Sequence, residues 1–169
     1  TLTNNTDRGK TGTTGGGKPR GLDAANPRYY NEDGTKGNAN GHIIRMREDG
    51  RDSAASRFDW DVYLFGAESD KFADGNINLS GLSAEQDFSS PDGLVFAPST
   101  GLCWVQTDDG AYTDVTNCMM LAAVPGHYGD GNTVEIDNLA VPSNGGADQT
   151  VTTYAGKPAS SKNVRRFLV

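Results

Sequence analysis

Ser90-Pro91-Asp92-Gly93-Leu94-Val95-Phe96, a reversal through Ala97-Pro98-Ser99-Thr100-Gly101, and then Leu102-Cys103-Trp104-Val105-Gln106-Thr107-Asp108 read as a β-hairpin with a carboxylate at each outer end. Leu94 and Phe96 alternate with Val95, and Leu102, Trp104 and Gln106 alternate with Cys103 and Val105, which is the period of a strand. A hairpin brings its outer ends together, so Asp92, entering the first strand, and Asp108, leaving the second, are expected at one edge of the sheet. Beside them stand Gly93, Asp109 and Gly110. Short carboxylates on turns are the oxygen donors that a hard cation such as calcium takes. Turn chemistry offers a second reading, because Asp in a Pro-Asp-Gly turn accepts hydrogen bonds from its own backbone.

Strand patterns continue outward on both sides. His42-Ile43-Ile44-Arg45-Met46-Arg47 is closed by the turn signal Glu48-Asp49-Gly50 and followed by Arg57-Phe58-Asp59-Trp60-Asp61-Val62-Tyr63-Leu64-Phe65. These two segments read as adjacent antiparallel strands, with Phe58, Trp60, Val62 and Leu64 on one face. Cys118 to Val124, Thr133 to Ile136, Gln149 to Tyr154 and Asn163 to Val169 supply further strands. Residues 6–40 are glycine-rich and polar, with no strand leading in and no helix following, which makes them a loop and not a phosphate-binding motif. Residues 66–90 are also loop-like, with one short helical stretch conceivable at Ser83-Ala84-Glu85-Gln86. The sum is roughly seven or eight strands and no firm helix, hence an all-β chain. Short strands joined by long loops suit a propeller, where loops gather at one face, and a sandwich is the alternative. Trp60 and Trp104 are expected to face the core, and Cys103 to act as a small core hydrophobe.

Composition narrows the function. A chain of 169 residues has the length of one domain. Its formal net charge is -7 and no basic cluster is present, which sets nucleic-acid binding aside. An acidic surface also repels phosphate esters unless bound cations reverse the local sign. No apolar run reaches membrane-spanning length, and no signal peptide stands at Thr1. The 2 cysteines, Cys103 and Cys118, are too few for a disulfide framework. His42 opens a strand and His127 lies in a turn, each without a partner pattern. Glu135 and Asp137 alternate on one strand face, as calcium ligands or as a solvated edge.

The segments carry a family resemblance. Thr1-Leu2-Thr3-Asn4-Asn5, Gly41-His42-Ile43-Ile44-Arg45 with Glu48-Asp49-Gly50, and Phe58-Asp59-Trp60-Asp61 resemble consecutive segments of PhoX-type alkaline phosphatases. Ser90 to Phe96, Trp104-Val105-Gln106-Thr107-Asp108, Asn117-Cys118-Met119-Met120-Leu121 and Val164-Arg165-Arg166-Phe167-Leu168 continue it in the same order. The resemblance implies a six-bladed β-propeller. Residues 1–169 would form part of it, about two blades' worth, with long Gly-rich loops, and residues 124–155 would be an insertion atypical of the family. It also implies an exported phosphomonoesterase, periplasmic or extracellular, whose mouth holds calcium and ferric iron.

Carried onto this sequence, Asp92 and Asp108 become calcium ligands, and Asn4, Asn5 and Asn117 become candidate site-lining residues. Each asparagine also reads as an ordinary turn former. The remaining metal ligands and the substrate-side arginine are expected outside this chain, so no catalytic residue is expected within it and the piece alone should be inactive. Its partners are then a phosphomonoester and the remaining segments of the same propeller, with no nucleic acid and no membrane span. Two departures from the family pattern are the longer reversal at Ala97–Gly101 and Cys118, where the family tends to carry Gln. The competing readings are a non-catalytic calcium-binding propeller module and a calcium-dependent lactonase.

Overall fold

The computed structural model describes residues 5, 7–30, 37–70, 76–108, 118–156 and 163–168. It is all-β. The strands are β1 (His42–Glu48), β2 (Phe58–Phe65), β3 (Pro91–Ala97), β4 (Leu102–Thr107), β5 (Met120–Ala123), β6 (Asn132–Asn138), β7 (Gln149–Ala155) and β8 (Val164–Leu168). The helical content of the described residues is two single-turn 3₁₀ segments at Asp49–Arg51 and Pro142–Asn144. None of it is long and apolar enough to cross a membrane. Ser83–Gln86, a possible helix by sequence, is a turn in which Ser83 O accepts from both Gln86 N and Asp87 N.

The strands form two open four-stranded sheets, in the orders β1-β2-β7-β6 and β3-β4-β5-β8. The second is antiparallel throughout. Between its third and fourth strands the chain makes an excursion. Val124 N donates to Asn163 O at 2.7 Å, so the chain leaves and returns at one place. The β6–β7 hairpin formed on that excursion joins the other sheet, where β7 runs parallel to β2 through the single pair Val62↔Ala155. Arg45 anchors it there, binding Asp61 through Nε at 2.8 Å and Nη2 at 2.5 Å, Asp130 through Nη2 at 2.8 Å and Pro125 O through Nη1 at 2.9 Å.

Two face assignments differ from the sequence reading. In the β1–β2 pair Ile43 faces Leu64 but Ile44 faces Val62, so Tyr63 is an extra residue on β2. Such a bulge shifts the alternation by one, which reverses the faces beyond it. Val62 and Phe65 therefore pack with Ile136, while Tyr63 and Leu64 join the core of the second sheet, and Phe58 is exposed. In β4 the buried face is Cys103, Val105 and Thr107, because their partners Ala123 and Leu121 lie in the core. Trp104 sits on the opposite face, half-buried edge-on against Phe167 with ring centroids 4.9 Å apart.

Residues 7–30 have no regular structure but pack firmly. Leu22 and Tyr29 share a core cluster with Val141 and Val151 of the β6–β7 excursion. Tyr29 N donates to Asn138 Oδ1 at 2.6 Å, and Asn138 Nδ2 donates to Pro27 O at 2.9 Å.

The loop is fixed to the sheets by Arg28, which is fully buried. Its Nε donates to Asn38 Oδ1 at 2.9 Å, Nη1 to Ile77 O at 2.8 Å, and Nη2 to Gly41 O at 2.5 Å and Gly66 O at 2.7 Å. The rings of Tyr30 and Phe65 lie against the guanidinium at 4.8 and 4.9 Å. His42, also fully buried, adds to this knot. Ala25 O, 2.8 Å away, can only accept, so Nε2 carries the proton and Nδ1 accepts from Asn38 Nδ2 at 3.2 Å. Burial, and secondarily the charge of Arg28, push the imidazole down to about 4.

Unfolded His42 titrates near 6.5 and folded His42 near 4, so the unfolded chain takes its proton first as pH falls. The stabilisation is complete above about pH 6.5 and declines as pH falls towards 4, by at most ~3 kcal/mol. In urea titrations of wild type and His42→Gln between pH 7 and 4, the gap in stability should narrow with acidification; parallel curves would contradict this. Gly66 lies where two backbones cross, since a Cβ there would stand 2.4 Å from Asn40 O and 2.9 Å from Phe88 O. Gly66→Ala should cost roughly 2–3 kcal/mol in the same assay.

Candidate metal centre

Three chain segments meet beside the Arg28 knot. Asn38 to Gly41 lead into β1, Ser89 and Ser90 lead into β3, and Asp108 follows β4. Ser90 joins them, its N–H donating to Asn40 O and its carbonyl accepting from Asp108 N, each at 3.0 Å. Asn5 adjoins the first of these segments, exchanging two backbone hydrogen bonds with Asn38 at 2.8 and 2.9 Å.

The hairpin has the form expected from its sequence. Pro91 faces Thr107, and Leu94, Val95, Phe96 and Ala97 face Val105, Trp104, Cys103 and Leu102. The register shifts between Pro91 and Leu94, leaving Asp92 and Gly93 in a bulge opposite Gln106. Gly93 suits that place, since a Cβ there would stand 2.9 Å from Gln106 Oε1. Asp92 and Asp108 thus occupy one end of the hairpin, and both are exposed. Bulges recur beside functional sites because they re-aim side chains.

Of the asparagines, Asn5 uses its side chain locally: Oδ1 accepts from Asp7 N at 3.0 Å, which is a turn-forming role. Asn4, Asn117 and Asp109 lie outside the described residues. His127 N donates to Asp130 Oδ2 in an exposed turn. Glu135 and Asp137 are on the edge strand β6, where Asp137 Oδ1 accepts from Thr150 Oγ1 across the pair. Cys103 is buried mid-strand and its thiol is pushed up by burial; Cys118 is exposed. A groove lined by Glu85, Leu102, Val124, Arg165 and Phe167 includes the far end of the hairpin and does not touch the two carboxylates.

Ser90 was not singled out by the sequence. It is 1 % exposed, adopts φ +46°, and its hydroxyl makes no hydrogen bond among the described residues. A left-handed non-glycine residue is costly and persists only where its surroundings over-determine it, here through the bonds to Asn40 and Asp108. A buried hydroxyl without a partner is a second cost, and such atoms are where a water or ion is expected.

Two exposed carboxylates beside a buried hydroxyl are hard oxygen donors and suit calcium. They are an incomplete set, for no group of three or more His, Cys, Asp or Glu side chains converges among the described residues. Cys103 lies in the core and not at this end of the hairpin, so it is no candidate thiolate ligand for ferric iron here; Cys118 is exposed and precedes Met119, whose carbonyl accepts from Thr107 N.

Searches of curated proteins and of solved structures found no match. A family model described as alkaline phosphatase PhoX matches residues 1–162, nearly the whole chain and all of the hairpin that carries Asp92 and Asp108. The chain therefore belongs to the PhoX alkaline phosphatase family.

Proposed function

We propose that this chain contributes calcium ligands to a phosphomonoesterase site at the mouth of a six-bladed propeller, as part of a larger exported enzyme that also holds ferric iron. The observation that carries the reading is the placement of Asp92 and Asp108 at one end of a bulged hairpin, in a chain of a phosphatase family. The antiparallel β3-β4-β5-β8 sheet has the strand number and connectivity of one blade interrupted by an excursion, which favours a propeller over a sandwich.

Bound cations would neutralise phosphate oxygens and the charge that develops as the ester bond breaks. The chain's own residues have a different task. Asp92 and Asp108 would hold the cation at a rim whose backbone is pinned by Ser90 and Asn40. The Arg28 knot beneath would keep that rim from yielding, because its donors and acceptors are paired within the protein. With a net charge of -7, the surface disfavours a phosphate ester when no cation is bound.

The test is phosphate release from a generic phosphomonoester at alkaline pH, with the complete enzyme that contains this chain, before and after calcium chelation. Activity should vanish with the chelator and return with added calcium. Asp92→Asn and Asp108→Asn should each lower calcium affinity on the order of 10–100-fold, and the rate at limiting calcium with it. Full calcium content and full rate in both variants would sink the assignment, and calcium binding without turnover would favour a binding module.

A further inference from the structure

We propose that Ser90 is a positioning residue of the cation site, its hydroxyl serving as the inner hydrogen-bond donor to the oxygens that hold the cation. The inference rests on the calcium reading of Asp92 and Asp108 and adds to it a residue that neither turn chemistry nor the hairpin pattern singles out.

Three observations converge on this residue. Its position is fixed from both sides, by its N–H on Asn40 O and its carbonyl under Asp108 N, each at 3.0 Å. Its backbone is left-handed at φ +46° although glycine would take that conformation at no steric cost. Its hydroxyl is buried and makes no hydrogen bond among the described residues. Serine at a place that suits glycine, with the one atom group glycine lacks left unsatisfied, indicates that the hydroxyl is kept for an interaction formed when a ligand is present. The neighbours identify that ligand's chemistry: Asp92 is two residues on, Asp108 is one hydrogen bond away, and both carboxylates are exposed. A hydroxyl has one hydrogen to donate, and a carboxylate drawn towards a cation, or a water bound to it, is the acceptor such a site provides. Donors of this kind orient metal-binding carboxylates, and removing one costs metal affinity without removing the site.

The glycine and alanine variants separate hydroxyl from backbone. Ser90→Gly keeps the left-handed turn and loses the whole CH2OH side chain with its strain, whereas Ser90→Ala loses only the hydroxyl and keeps the strain. Calcium affinity of the purified protein is measured by competition with a chromophoric chelator, and folding is checked by thermal melting in excess chelator. Ser90→Gly should melt no lower than wild type without calcium, yet bind calcium about tenfold more weakly. Ser90→Ala should show the same loss of affinity. Wild-type affinity in Ser90→Gly overturns the proposal, including the case where only Ser90→Ala is impaired, since the hydroxyl is then shown to be dispensable. Asp108→Asn distinguishes the two levels. If its calcium affinity is unchanged, the calcium reading of the rim fails; if it is weakened while Ser90→Gly is not, only the role of Ser90 fails.

Discussion

A guanidinium buried among backbone carbonyls is the constraint on which the rest of this structure depends. Taking the Arg28 charge out of water is expensive unless its donors are met, and the carbonyls that meet them come from distant parts of the chain. Gly41 and Gly66 lie at the two ends of the β1–β2 hairpin that face each other, Ile77 lies in the loop beyond β2, and Asn38 holds the chain leading into β1. One side chain thereby sets where an irregular loop of more than twenty residues sits. Each acceptor also has its own position restricted, so the knot is costly to loosen at any one point.

The rim inherits its geometry from this knot. Asn38 gives its carbonyl oxygen to Arg28 and to Gly41 N, and its amide nitrogen to His42, so its orientation is determined. Two residues on, Asn40 O receives Ser90 N, and Ser90 O receives Asp108 N. A run of backbone hydrogen bonds thus leads from a buried charge to an exposed carboxylate. Gly66 permits the crossing, since a Cβ there would stand 2.4 Å from the Asn40 carbonyl oxygen that accepts from Ser90 N. Strain at Ser90 is tolerated because the bonds on either side hold it.

Apolar residues remain uncovered on the second sheet. Leu94, Val95 and Phe96 of the edge strand β3 are exposed, as is Phe167 on β8. Packed strands normally hide such residues, and their exposure together with the two open sheet edges accords with strands that meet other polypeptide in the proposed propeller. The β6–β7 hairpin shows the opposite treatment. It is attached by Arg45 through two carboxylates and by the close approach of Gly131 to Ala155, where a Cβ would overlap the carbonyl oxygen.

The strands were legible because their signals are local. Alternation of apolar and polar residues, closed by Asp49-Gly50 or opened by Pro91-Asp92-Gly93, locates β1 to β4 within a residue or two, and a hairpin's geometry then brings Asp92 and Asp108 to one end. The faces of β2 and β4 were not legible. Both strands are apolar on two sides, so alternation cannot choose between them; the bulge at Tyr63 and the pairing of β4 with Leu121 and Ala123 make the choice. Arg28 and Ser90 were invisible for a related reason. Nothing in a chain of charged and polar loop residues marks Arg28, whose acceptors lie up to 49 positions away, or Ser90, pinned by residues 50 positions before it and 18 after it. By itself the sequence determined the all-β class, the hairpin and its paired carboxylates, since these rest on interactions between near neighbours. Only the tertiary structure decided what holds the loops, which faces are buried and which serine stands beneath the rim, since each depends on groups brought together by folding.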